Sequence, residues 1–333
     1  MLGARARARF AKNRSAVLGA AVVAALIAFA WIGPAAVAHD PLASDFARGV
    51  SADGGPVGPN AVFWLGTDRL FRDVLARLAY AGRLSLLIAF AATAIAATIG
   101  AVVGIVAGWH EGARSRVPWP VVLGLCAAGA AFAFGRPRLA ALALGGGIAA
   151  SAVHSFAGPR VDVDGWLMRL VDVLLAFPFL LLVMAIGAAL DRSSAVTIFA
   201  TLGATSWLGI ARVLRAKTMQ VRSLEYVVAA RALGQSTARI LLLHVLPNVS
   251  GPLLVSATIL VGQMMVADSV LSYLGVGISP PTPTWGRMLF EGQDAYSGAP
   301  WLVAAPGTAI VLAVWGFNML GEGLRDSLDP HEA

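Results

Sequence analysis

Long apolar runs separated by short charged segments set the pattern of this chain. A membrane-crossing helix needs about 20 mainly apolar residues. Six runs approach or exceed that length, at 15–38, 84–107, 170–190, 196–211, 250–274 and 301–321. Two shorter runs rich in Ala and Gly, 119–135 and 139–157, lie between the second and the third. The pattern predicts an all-α integral membrane protein with six main spans and an inserted apolar hairpin at about 113–160. Composition agrees: 58% of residues are hydrophobic and 13% charged, with a mean hydropathy of +0.76, whereas soluble chains carry about 25% charge.

The formal net charge of +7 takes its meaning from this pattern. The basic residues sit between apolar runs, so they read as topology signals rather than as a nucleic-acid surface. Arg5, Arg7, Arg9, Lys12 and Arg14 precede the first run and place residues 1–14 in the cytoplasm. Ala36-Val37-Ala38 resembles a signal-peptide cleavage site, but the run before it exceeds the usual 7–15 residues of a signal core, so 15–38 reads as a retained span. Residues 39–83 are then extracytoplasmic; within 39–77, Arg48, Arg69, Arg72 and Arg77 are balanced by Asp40, Asp45, Asp53, Asp68 and Asp73. Residues 212–239 carry Arg212, Arg215, Lys217, Arg222, Arg231 and Arg239 against Glu225 and belong inside. Residues 277–300 carry Arg287 as their one basic residue and belong outside. Both termini, 322–333 included, are therefore expected in the cytoplasm, with 84–321 as the core. The extra pair at 119–157 enters and leaves on one side, either as two true spans or as a re-entrant hairpin.

The loop 212–247 is too polar to span and too long for a tight turn. Tyr226 to Leu233 is rich in helix formers, Gly234 suits a helix C-cap, and Ser236 or Thr237 suits the start of a second helix running to His244. Pro247 is placed to start the next helix. The segment predicts a short helix–turn–helix on the cytoplasmic face. A basic amphipathic loop lying on anionic lipid is the alternative.

Spacing narrows this reading. Ala229-Ala230, then Gly234, His244 and Leu246-Pro247 resemble the EAA loop of ABC importer permeases. The resemblance implies a loop that docks on a cytoplasmic ATPase, with Glu225, Val228, Ala229, Ala230, Gly234, His244 and Pro247 as its coupling residues. Val228 stands where that family usually has Glu, and Glu225, one turn earlier, is a partial acidic substitute. Leu65-Gly66-Thr67-Asp68 with Arg72-Asp73-Val74 and Arg77 resembles an outer-face element of the C-type permeases of dipeptide and oligopeptide importers, Phe71 replacing a usual Gly. Leu271 to Gly277 with Pro280-Pro281-Thr282-Pro283-Thr284-Trp285-Gly286, Asn318 to Pro330, and Met168 to Asp172 with Ala176-Phe177-Pro178 resemble further elements of the same family. The resemblance leaves 113–160 as an insertion.

It implies a six-helix ABC type I importer core that forms a path with a second, related permease. ATPase subunits use ATP and Mg²⁺, and an extracytoplasmic binding protein delivers substrate, with peptides first and nickel complexes, glutathione or haem as the related alternatives. The location implied is the bacterial plasma (inner) membrane, in contact with its lipid. Asp68, Arg72, Asp73, Pro281 and Trp285 are the expected outer docking residues. Asp268, a carboxylate within an apolar span, is the candidate pathway residue, while Asp172 reads as structural. The chain lacks G-x-x-x-x-G-K-[ST], and no catalytic constellation appears, so the ATPase must be a separate chain and this chain is not expected to be an enzyme or to hold a cofactor. Cys126 is the only cysteine and the five His are scattered, so no disulfide or metal site is expected. A secondary transporter, the distant alternative, needs more midplane charge and internal repeats.

Overall fold

The computed structural model describes residues 9–37, 39–112, 114–116, 137–153, 160–189, 195–278 and 280–328. Its helices are α1 (Arg14–Ala36), α2 (Val74–His110), α3 (Pro137–Val153), α4 (Val163–Ala176), α5 (Phe179–Ala189), α6 (Ala195–Ser206), α7 (Leu208–Arg222), α8 (Glu225–Ala232), α9 (Thr237–Ile240), α10 (Leu246–Tyr273), α11 (Trp285–Gly292) and α12 (Trp301–Leu328). Five helical segments are long and apolar enough to cross a membrane: α1, α2, α6–α7, α9–α10 and α12. A sixth crossing is possible through α4 and α5, which are bent 91° at Phe177-Pro178. Pro178 has no N–H to donate and disfavours helical geometry at Phe177, so the run expected as one straight span at 170–190 breaks there.

Helix α2 is the central element. Asp73 caps its start, its carboxylate accepting from the amides of Leu75 at 2.8 Å and Ala76 at 3.2 Å. At about 1.5 Å per residue its 37 residues extend about 55 Å, well beyond the expected 84–107. One side packs against α7 through Gly100, Gly104 and Gly108. A Cβ on Gly104 would lie 2.5 Å from the Ala211 carbonyl oxygen, and one on Gly108 2.5 Å from that of Arg215. Small residues at four-residue spacing let two backbones approach this closely in a membrane. The other sides of α2 meet α1, α6, α10 and α12, with an edge-on pair of Phe90 and Phe317 whose centroids lie 5.6 Å apart.

Two ends of the bundle can be distinguished. The lower face carries Glu225–Pro247, and the upper face carries residues 39–73. Asn13, the cap of α1, donates from Nδ2 to the Asp326 carboxylate at 2.9 Å, so the start of α1 and the end of α12 lie together. The two ends of the expected insertion lie together. Strands β1 (Arg114–Arg116) and β2 (Arg160–Asp162) pair antiparallel, with Arg116 opposite Arg160. One predicted arm, 139–157, overlaps α3, which has 17 residues; the other, 119–135, lies outside the described residues.

Candidate functional site

At the lower face, the expected helix–turn–helix is built around Gly234. Its φ of 77° lies in the left-handed region that glycine enters without a Cβ clash. The amide of Gly234 donates to the Arg231 carbonyl at 3.0 Å and that of Gln235 to the Ala230 carbonyl at 3.2 Å. This pair of bonds is a Schellman cap. Ser236 then caps α9, its hydroxyl accepting from the Arg239 amide at 3.4 Å. Val227 and Ala230 turn inward and are buried, while Val228, Ala229, Leu233, Leu242 and Leu243 face outward. Glu225 is exposed in the first turn of α8, where its charge complements the helix dipole.

His244 locks the two helices together. Its Nε2 lies 3.3 Å from the Gln235 side-chain oxygen and its ring is edge-on to Tyr226. A π-helical turn, Leu241–Val245, joins α9 to α10, with Pro247 in the first turn of α10. The Asn248 side chain donates from Nδ2 to the His244 carbonyl at 2.7 Å, taking up an acceptor near the residue that lacks an N–H.

The basic residues read from the sequence as loop signals have a second role. Residues 212–222 are not loop but the end of α7. Arg215 makes two 2.6 Å bonds to Asp164, and Arg212 reaches Asp172 at 2.5 Å, so these charges are neutralised along the helix. Arg222 bonds the Glu111 carboxylate and donates to the carbonyls of Trp109 at 3.0 Å and Glu111 at 2.9 Å. The guanidinium of Arg231 lies 4.7 Å from the Trp109 ring centroid, within cation–π range. The turn is thereby tied to the end of α2. Sequence reasoning missed this link because its partners lie more than 100 positions apart.

At the upper face, Asp68, Arg72 and Pro281 line one cavity of about 370 Å³, together with Arg77, Arg287 and Glu291. Arg72 meets Asp68 at 2.7 Å, and Arg77 meets Glu291 at 2.8 Å and Asp68 at 3.4 Å. Arg287 bonds Glu291 at 3.1 Å. Phe71, at φ 59°, occupies the left-handed region where glycine is usual, at a cost of about 1–2 kcal/mol. Its edge-on contact with Phe46, at 5.4 Å, works against that cost.

Three site residues fall elsewhere than expected. Trp285 is not on the outer surface but fully buried; its Nε1 donates to the Leu78 carbonyl at 2.9 Å and its amide to Ser85 Oγ at 3.0 Å. Asp73 is also buried, spent on capping α2 and bonding His39 at 2.6 Å. Asp268 is enclosed within the bundle at 1% exposure rather than lining an open path, and its Oδ1 has no partner among the described residues.

With both faces described, the relatives can be placed. Residues 143–332 match the model of the binding-protein-dependent transport system inner membrane component, and residues 2–50 match the N-terminal TM domain of oligopeptide transport permease C. The chain is 31% identical to the dipeptide transport system permease protein DppC of Alkalihalophilus pseudofirmus, covering 96% of this chain and 86% of that one. It is 32% identical to the di/tripeptide transport system permease protein DppC of Pseudomonas aeruginosa, over 96% and 89%, and 29% identical to the oligopeptide transport system permease protein OppC of Bacillus subtilis, over 97% and 87%. These likenesses run nearly end to end and agree with the multi-pass helical bundle, so the chain belongs to the family of binding-protein-dependent transport system inner membrane components.

Proposed function

We propose that this chain is one of two permease subunits of an ATP-driven importer of dipeptides or oligopeptides in the bacterial plasma membrane. The observation that carries this reading is the near full-length likeness to three peptide permeases in a chain whose lower face presents an exposed, rigidly capped helix–turn–helix. On this reading both termini and the lower face are cytoplasmic. Separate ATPase subunits dock on Glu225–Pro247 and use ATP and Mg²⁺, while this chain holds no cofactor and hydrolyses nothing. Ala229 and Ala230 permit close packing and Gly234 makes the turn. ATP binding draws the ATPases together and swings α8–α9, and the link from Arg222 and Arg231 carries that movement to α2. A binding protein delivers peptide at the upper face, beside the cavity at Asp68, Arg72 and Pro281.

The test is co-purification and peptide uptake with Gly234→Pro and Ala230→Asp. Proline cannot adopt the φ of position 234, and Ala230→Asp places a charge where the side chain is buried. Both variants are expected to reach the membrane, to retain less ATPase, and to lose at least about tenfold in uptake, the equivalent of 1.4 kcal/mol of coupling. Normal assembly and uptake in both, or wild-type uptake that continues without any ATPase subunit, overturns the reading.

A further inference from the structure

Gln263, Asn318 and Glu322 pose a problem for a bundle surrounded by lipid. Gln263 and Glu322 are exposed and Asn318 is half-buried, all on membrane-crossing helices. None of the three side chains has a hydrogen-bond partner among the described residues. Gln263 lies ten residues below the top of α10, about 15 Å, which is near the middle of a hydrocarbon layer about 30 Å thick. A primary amide facing lipid there forfeits its hydrogen bonds at a cost of several kcal/mol. This face must therefore meet water or a polar molecule.

The surroundings say which. Gln263 and Val266 are shared by two concave spaces. One, of about 400 Å³, lies against α4, α5, the junction of α6 and α7, and α10; the other, of about 460 Å³, lies between α10 and α12 and also holds Asn318 and Glu322. Both are of a size that takes small ligands. The first is bordered by the 91° break at Phe177-Pro178, with Phe177 exposed. Broken backbone at membrane depth occurs only where it is buried or lines a water-filled space.

We infer that Gln263, Asn318 and Glu322 form a descending polar ladder that contacts peptide backbone in the translocation path. The inference rests on the peptide-importer reading. A primary amide both donates and accepts, as a peptide group does, so Gln263 and Asn318 can engage any peptide without reading its side chains. Glu322, lowest on α12, offers a carboxylate to a peptide ammonium. This assigns the path to the open face of α10 in place of enclosed Asp268.

The test uses the whole complex in proteoliposomes, with Cys126→Ala as the parent and a water-soluble methanethiosulfonate as the probe. Gln263→Cys and Asn318→Cys are expected to react at least about tenfold faster than Ile27→Cys, an apolar surface control on α1, because thiolate forms only in water. A transported dipeptide is expected to slow both reactions. Gln263→Leu is expected to lower uptake about fivefold, the scale of one lost hydrogen bond. Gln263→Cys reacting as slowly as Ile27→Cys overturns the ladder and assigns this face to lipid or to the second subunit. Fast reaction that dipeptide leaves unchanged overturns the peptide contact. Uptake by the parent is measured first: a parent that imports no peptide sinks the importer reading and the ladder with it, whereas an importing parent with an unprotected Gln263→Cys sinks the ladder alone.

Discussion

The indole of Trp285 is fully buried against α2 and fills space that a smaller side chain would leave empty. Gly82 makes room for it, since a Cβ there would stand 3.0 Å from the ring. Trp285→Ala should therefore cost about 3–5 kcal/mol, read as a lower thermal midpoint of the purified complex. Trp285→Phe keeps much of the packing but removes the donor to Leu78, and should cost about 1–2 kcal/mol. Equal losses in the two variants would show that the hydrogen bond, not the packing, carries the residue's contribution. The proline-rich flank made this residue look like a surface aromatic. What encloses it is α2, whose Leu78 and Ser85 take its two N–H bonds from 207 and 200 positions away, and no local pattern reports that. Gly234 is the opposite case. Every bond of its cap lies within five residues, so spacing alone was enough to place the turn.

Among the helices, the close approach of α2 to α7 is open to disruption by a single change. Gly104→Leu must push the Ala211 carbonyl away, and overpacking of this kind costs about 1–3 kcal/mol. Gly146→Leu is the matching control: a Cβ there meets nothing within 4 Å, so the change should not destabilise and gains up to about 1 kcal/mol of helix propensity. Thermal unfolding of the two purified variants checks the pair, and equal midpoints would refute close packing at Gly104. Helix existence was legible here from apolar length alone, whereas 170–190 read as one span and its break at Pro178 went unread, although the missing N–H is a local signal for it. The lower end of α7 was not. A run holding Arg212, Arg215 and Arg222 reads as loop unless Asp172, Asp164 and Glu111 are known to lie alongside, and those carboxylates sit on other segments.

For the molecule as a whole, the β1–β2 pair brings the two ends of 117–159 together. Because Arg116 and Arg160 face each other, a two-residue Asn-Gly turn can join them directly. Replacing 117–159 in this way should leave membrane insertion and assembly with the partner subunits unchanged, as judged by co-purification; loss of a partner would show that the insertion holds it. Two additional apolar runs marked 113–160 as a hairpin in the sequence, but the strands that join its ends are three residues each, too short for periodicity to report. The length of α2 has a further consequence. Its apolar stretch begins after Arg83, so Val74–Arg83 adds about 15 Å above the hydrocarbon, against a headgroup layer of roughly 5–8 Å per side. The ionic cluster of Asp68, Arg72, Arg77 and Glu291 is thus carried at the upper end of α2, beyond the run 84–107 read as its span, and is expected to stand above the phospholipid surface. A soluble protein can approach it without displacing lipid, and changes in headgroup charge should leave that approach almost unaltered.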